Sequence, residues 1–247
     1  MCGLVGIIGN QNETIEDVLQ SMEHRGSDNR GVYHNDRVSL GHNRLSINDL
    51  SEKGSQPFHY QNIHLIVNGE IWNYPTLRTE YESRGYNFQS DSDSEIILYL
   101  YKEDELNRLD GMFSFILYDA DIGKVFVSRD WVGKIPLWMN RNDNGCSIVS
   151  EMKSLAGNQN LSIIPPNSLI EIDTETLQTT THSNYYFKWS NTTSSLDNVG
   201  KKTFELLDEA VRKRLLSDVK ISTCLSGGID SSVITLLLKR YIDDLTA

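Results

Sequence analysis

Cysteine is scarce in this chain. Cys2, Cys146 and Cys224 are the only three in 247 residues, too few and too scattered for a disulfide framework or a zinc site. The six histidines show no HxxxH or HxH spacing, so no structural metal is expected. No apolar run approaches the ~20 residues that a membrane span needs. The first residues also lack the basic flank and long apolar core of a secretion signal. A soluble, cytoplasmic chain with no membrane partner is therefore expected. Basic residues are in deficit: 23 Lys and Arg against 34 Asp and Glu give a formal net charge of -11, which repels phosphate backbones and argues against nucleic acid. In such a chain the Asn-x-Ser/Thr triplets at Asn12, Asn160 and Asn191 are accidental. No internal repeat is visible, and the length allows one large domain or one domain and part of another.

What is present is concentrated at the start, Met1-Cys2-Gly3-Leu4-Val5-Gly6-Ile7-Ile8-Gly9. Loss of the initiator, expected because Cys2 is small, leaves a cysteine with a thiol and a free α-amine. An unperturbed amine titrates near ~7.7–8.0, so it can take the thiol proton without any histidine. The glycine-bounded run Leu4–Ile8 reads as a buried strand that fixes this terminus. Alone, however, a cysteine beside an apolar strand is more often a small buried hydrophobe.

Further along, Ile15, Val18, Leu19 and Met22 recur at helical spacing behind a Thr14 cap. Arg25 and Asp28 follow in what reads as a solvated turn. Arg44 is bounded by apolar and small residues; a half-buried guanidinium needs a carboxylate partner, which a substrate can supply. Asn68-Gly69 between apolar runs is the leading signal for a tight hairpin. The same turn can aim the Asn68 amide and the Gly69 N–H into one cavity, the pair of donors that a tetrahedral acyl intermediate requires. Asp93, in Ser90-Asp91-Ser92-Asp93-Ser94-Glu95, reads as a helix-capping carboxylate that would equally hold an ammonium. From Gly111 onward, strands at Met112–Tyr118, Lys124–Ser128, Leu137–Asn140, Cys146–Ser150 and Ser168–Ile172 suggest a meander. A small, polar stretch over 190–200 reads as a linker. Beyond it come an amphipathic helix through Phe204 to Leu215, a strand Val219–Leu225, and a glycine-bearing turn, Ser226 to Ser232, into a helix from Val233. Such a turn offers backbone N–H groups to an anion, but it lacks the lysine of a Walker P-loop.

The opening Met-Cys-Gly-Leu-Val-Gly-Ile, His24-Arg25-Gly26, Arg44-Leu45-Ser46-Ile47, Asn68-Gly69-Glu70-Ile71-Trp72-Asn73, Ser92-Asp93-Ser94-Glu95 and Asp110-Gly111-Met112-Phe113 together resemble the class II glutamine amidotransferases. Their order and spacing look like those of the glutamine-hydrolysing asparagine synthetases. The stretch Ser226-Gly227-Gly228-Ile229-Asp230-Ser231-Ser232 is similar to the pyrophosphate loop of their ATP-using domain.

The resemblance implies an α+β fold: a four-layer αββα N-terminal-nucleophile sandwich over 1–189, a linker over 190–200, and over 201–247 the start of an α/β nucleotide-binding (PP-loop) domain. It implies that Cys2 attacks the glutamine side-chain amide through a thioester, with Asn68 and Gly69 as oxyanion donors. It implies glutamine binding by Arg44, Ile47, Glu70 and Asp93, with Arg44 on the α-carboxylate and Asp93 and Glu70 on the α-ammonium. Pyrophosphate contacts would fall to Ser226, Gly227, Gly228, Asp230, Ser231 and Ser232. The glutaminase needs no cofactor; ATP and Mg enter only if the synthetase domain is completed. The implied partners are glutamine and either a separate synthetase chain or further copies of this one. The alternatives are a free-standing glutaminase and a non-catalytic remnant that binds glutamine or a protein. Three departures stand out, the largest being that most of the family's synthetase domain is expected to be missing from these residues. Ser27 replaces a proline, which is expected to loosen a loop over the site, and Lys134-Ile135 exchanges two residues of the family's loop.

Overall fold

The computed structural model describes residues 1–9, 13–155, 160–183 and 195–247. The chain divides into two compact units, Met1–Tyr186 and Phe187–Ala247.

Two six-stranded sheets build the first unit. The first is ordered β10 (Leu161–Ile163), β8 (Trp138–Asn142), β9 (Gly145–Val149), β1 (Gly3–Gly9), β3 (Val38–Arg44), β2 (Asn29–His34). The second runs β12 (Thr179–Ser183), β11 (Ser168–Asp173), β7 (Lys124–Arg129), β6 (Gly111–Asp119), β5 (Ile63–Ile71), β4 (Phe58–Tyr60). Every neighbouring pair is antiparallel.

Strand β1 sits inside its sheet, and its residues alternate between two cores. Leu4 and Ile8 join Val38, Leu40, Ile66, Ile116, Val125 and Val127 between the sheets. Val5 and Ile7 instead meet Ile15, Val18 and Leu19 of helix α1 (Ile15–Ser21) on the outer face. The Thr14 hydroxyl accepts from the Asp17 N–H and caps α1. On the far side of the second sheet, α3 (Ile96–Lys102) packs on β5, with α2 (Tyr74–Ser83) against α3. The layers are helix, sheet, sheet, helix. Because β1 is apolar on both faces, it places Cys2 rigidly at the mouth of the sandwich.

Three local expectations change. Asn68-Gly69 is no hairpin turn but the middle of nine-residue β5, opposite Ser114 and Phe113. The glycine is there for close approach: a Cβ at Gly69 would lie 2.1 Å from the Met112 carbonyl oxygen. The strand expected at Val219–Leu225 reduces to one parallel bridge, Ser222 to Thr246. The expected linker over 190–200 lies outside the described residues up to 194, and helix α4 (Leu196–Lys213) occupies its remainder, capped by Ser195.

In the second unit, α4 and α5 (Ile229–Leu238) share a small core of Val211, Leu237 and Leu238. Helix α5 starts four residues before the expected Val233 because Gly228 takes the N-cap position. Leu196, Ile229 and Leu236 stay largely exposed.

Candidate functional site

A cavity of about 240 Å³ opens in the first unit beside the chain terminus. Its walls include Cys2, Arg44, Ile47, Asn68, Gly69, Glu70 and Asp93, every glutamine-site residue expected from the sequence.

Strand β5 forms one wall of this cavity, where its outer edge is only partly covered. The short β4 pairs with residues Ile63 to Leu65 and stops. Past that point, alternate N–H groups of β5 point away from β6 toward other partners. Val67 N–H donates to Gln56 Oε1 at 2.6 Å, and Ile71 N–H donates to Asp93 Oδ2 at 2.6 Å. The two-residue period puts the N–H of Gly69, midway between them, on the same open edge and toward the cavity it lines. The Asn68 side chain complements it. Its Oδ1 accepts from the Cys2 N–H at 3.0 Å, while its Nδ2 is buried without a hydrogen-bond partner. An unpartnered buried donor is costly unless something accepts from it. Here it stands beside Cys2.

Burial pushes the Cys2 thiol above its ordinary pKa, partly offset by the Leu45 backbone, the terminal amine, Arg44 and Arg25. The sulfur lies 3.4 Å from the Leu45 N–H and 3.6 Å from the Leu45 carbonyl. At neutral pH it is a thiol in need of a base. Met1 precedes it in this structure, so the Cys2 nitrogen is an amide. The Met1 amine is lowered below 8.0 by burial, with Arg25 adding to that direction. An amine in this environment is biased toward its neutral, proton-accepting form.

Arg44 and Asp93 supply opposite charges. Arg44 is buried rather than half-buried, and the carbonyls of Ser51 and Asp49 already hold its terminal nitrogens. They aim the charge; a substrate carboxylate is not needed to satisfy its geometry. Gly54 packs flat against this guanidinium, where a Cβ would lie 2.2 Å from Nη2. Asp93 does not cap its short helical turn, since the Ser92 hydroxyl does. Burial raises Asp93 to about 6, Glu70 adding to the rise, against hydrogen bonds from Ile71 N–H and the Asn48 side chain.

Several supporting residues escaped the sequence reading. Arg25 is not solvated: its side chain is 9% exposed, Nε donates to the Cys2 carbonyl at 2.8 Å and Nη1 to Glu151 at 2.9 Å. Burial tends to raise the Glu151 pKa, but hydrogen bonds from Lys153, Arg25 and His24 lower it to about 2. The loop containing Ser27 is tied down at Asp28, whose N–H reaches the Arg44 carbonyl at 3.0 Å and whose carboxylate takes the Ser46 N–H at 2.7 Å. Ile135 is buried and lines the cavity, while Lys134 stacks over the Trp72 ring. Gln56 lines the cavity too. His42 is wholly buried; the signal that could have found it is the alternation Val38, Leu40, His42, which sets it on the core face.

The residues expected to hold pyrophosphate form a separate, exposed turn. Ser226 and Ser231 hydroxyls bond each other at 3.0 Å, Gly228 N–H turns to the Ser226 hydroxyl, and the Ser232 hydroxyl donates to the Gly228 carbonyl. Gly227 takes a positive φ of 83° with open space around it, and Asp230 stands in the first turn of α5. These hydroxyl groups and the Gly228 N–H are engaged with one another. Among the described residues no cluster of His, Cys, Asp or Glu is placed to hold a metal, and no helix is long and apolar enough to cross a membrane.

Residues 1–195 match the glutamine amidotransferase domain family, and residues 202–247 match the asparagine synthase family. Among curated relatives, the glutamine-hydrolysing asparagine synthetase B of Escherichia coli (strain K12) is 36% identical over 256 residues, covering 98% of this chain and 45% of the relative. Glutamine-hydrolysing asparagine synthetase 1 of Bacillus subtilis (strain 168) is 31% identical over 280 residues, covering 98% and 44%. The chain thus spans less than half the length of these relatives. Of solved structures, the glutamine phosphoribosylpyrophosphate amidotransferase of B. subtilis, complexed with ADP and GMP, superimposes with a TM-score of 0.65 at 19% identity, over 97% of this chain and 64% of that one. That likeness bears on the fold.

Proposed function

The chain belongs to the glutamine amidotransferase domain family, and from that premise we propose that it hydrolyses L-glutamine to glutamate and ammonia through a thioester on Cys2. The observation that carries this reading is the contact between Cys2 and Asn68 in a cavity that also holds Arg44 and Asp93. Once Met1 is removed, the Cys2 amine takes the thiol proton as sulfur attacks the side-chain amide carbon. The negative charge that develops on oxygen is met by Asn68 Nδ2 and Gly69 N–H. The amine then protonates the departing nitrogen, ammonia leaves, and water opens the thioester to glutamate. Arg44 binds the α-carboxylate, Asp93 and Glu70 bind the α-ammonium, and Ile47 packs on the aliphatic stem.

The test is ammonia release from glutamine by protein whose first residue is verified by mass spectrometry to be Cys2. No release would end the reading.

We further propose that the ammonia serves an ATP-dependent amidation, by default of aspartate to asparagine, on a synthetase part beyond the residues 202–247 matched here. The exposed Leu196, Ile229 and Leu236 fit burial by that part. ATP and Mg would belong to it; the glutaminase step uses neither. The 247-residue chain alone is accordingly expected to release ammonia at a rate unchanged by ATP, Mg and aspartate, with no asparagine in the product analysis. Three free cysteines fit a reducing cytoplasm.

Asp93 carries a pH-dependent cost. Its folded pKa of about 6 stands above the ordinary 3.8, so the folded state binds the proton more tightly than the unfolded chain. The penalty is fully present above pH 6 and disappears as pH falls toward 4. A substrate ammonium offsets it. Asp93→Asn is expected to stabilise the free protein by about 1–3 kcal/mol at pH 8 and by little at pH 4, measured by denaturant unfolding. It should also raise KM for glutamine. In the parent, KM is expected to climb about tenfold between pH 7 and pH 5 as the carboxylate protonates. A KM flat across that range would remove Asp93 from ammonium binding.

A further inference from the structure

We infer that His42 is a positioning residue for the oxyanion donors, holding the peptide unit that joins Val67 to Asn68; this rests on the glutaminase reading above. His42 lies on β3, in the first sheet, and is fully buried. Its Nε2 reaches across the sandwich to the Val67 carbonyl oxygen on β5, in the second sheet, at 3.2 Å. That carbonyl and the Asn68 N–H belong to one planar unit, so fixing the oxygen orients the backbone from which the Asn68 side chain departs.

Val67 needs such a partner. Extending the β4–β5 register beyond Phe58 and Leu65 sets Gln56 opposite Val67, but β4 does not reach that pair. Two side chains take the place of the missing strand, with Gln56 Oε1 on the Val67 N–H and His42 on its carbonyl. On the same edge, Ile71 N–H is held by Asp93, and Gly69 is the position between these clamps. His42 also pairs through its backbone with Leu4, two residues from the nucleophile. One residue therefore sets the spacing between the strand that carries sulfur and the strand that carries the donors.

The ring is suited to holding rather than to proton transfer. Burial depresses its pKa to about 3, with Arg44 acting the same way against the Val67 hydrogen bond. It is neutral at working pH, with the proton on the nitrogen that faces the carbonyl. The other nitrogen, Nδ1, has no hydrogen-bond partner, which fits a bare lone pair in an apolar core better than a second N–H.

The experiment uses the full chain with Met1 removed. His42→Phe is expected to lower kcat for glutamine hydrolysis about 10- to 100-fold with KM within about threefold, because the misplaced donors act on charge that appears only in the transition state. His42→Gln, whose amide keeps an N–H within reach, should return kcat to within about fivefold of the parent. Alkylation of Cys2 by iodoacetamide should keep its parent rate in both, reporting a folded site and an intact nucleophile. A His42→Phe kcat within threefold of the parent, an equal loss in His42→Gln, or a loss confined to KM overturns the inference. If His42→Phe does not fold, His42→Gln must stay near the parent while His42→Asn, too short to reach Val67, loses about tenfold or more; equal behaviour of the two overturns it. An inactive parent, by contrast, removes the glutaminase reading itself and this inference with it.

Discussion

Cys2→Ala is expected to abolish glutamine hydrolysis, with a loss on the order of 10⁴-fold or more. Retention of Met1 is expected to do the same with the thiol untouched. Both follow from one feature of the site. The Cys2 sulfur is surrounded by the Leu45 backbone, and burial raises its pKa, so the thiolate is scarce at neutral pH. Among the described residues the cavity lining includes no histidine: His42 lies behind it, neutral, and its N–H is spent on Val67. On the proposed mechanism the base is the α-amine of Cys2 itself. With Met1 attached, that nitrogen is an amide that donates to Asn68 and has no basic lone pair. The measurement is coupled glutamate release from three preparations: Cys-first, Met1-retaining, and Cys2→Ala. A Met1-retaining protein as fast as the Cys-first one would show that some other group activates the thiol.

The second large effect belongs to Asn68. Asn68→Ala is expected to lower kcat about 10²- to 10³-fold with a small change in KM. The Nδ2 group is buried and unpartnered, so an oxygen arriving beside it supplies its acceptor. A donor that meets more charge in the transition state than in the bound substrate contributes to kcat rather than to binding. Asn68→Asp separates the two roles of this side chain. The carboxylate can still accept from the Cys2 nitrogen, but it replaces a donor with negative charge where an oxyanion must form. Its kcat should fall below that of Asn68→Ala. If the aspartate variant is instead the faster of the two, Asn68 serves to orient the nucleophile, and the oxyanion is stabilised elsewhere.

The contrast between Asn68 and its surroundings shows what was legible in the chain. Short stretches named the glutamine-site residues, and the cavity brings Cys2, Arg44, Ile47, Asn68, Gly69, Glu70 and Asp93 together. The manner in which they act was less legible. Asn-Gly reads locally as a turn because turns favour those residues. Pairing along the whole of β6 overrides that preference and makes Gly69 a point of close approach instead. Arg44 reads as a charge awaiting a carboxylate, yet backbone carbonyls a few residues downstream hold it. Arg25 reads as solvated because its partners, Cys2 and Glu151, are remote in sequence. Similarly, Glu95 reads as one more polar residue at a helix start; it is buried, taking hydrogen bonds from Gln89, Ser90 and Tyr99.

What the amino-acid order alone determined was the apolar run that buries both faces of β1, the Thr14 helix cap, and the residue types that line the cavity. These depend on neighbours a few positions apart, where spacing is geometry. Tertiary structure decided which donors remain free. Gly69 N–H opens on the cavity because β4 ends at Phe58, and Asn68 Nδ2 remains unpartnered because its oxygen faces a nitrogen 66 residues away. Whether a polar group is spent or available depends on every chain segment that packs around it, and only the assembled sandwich sets that.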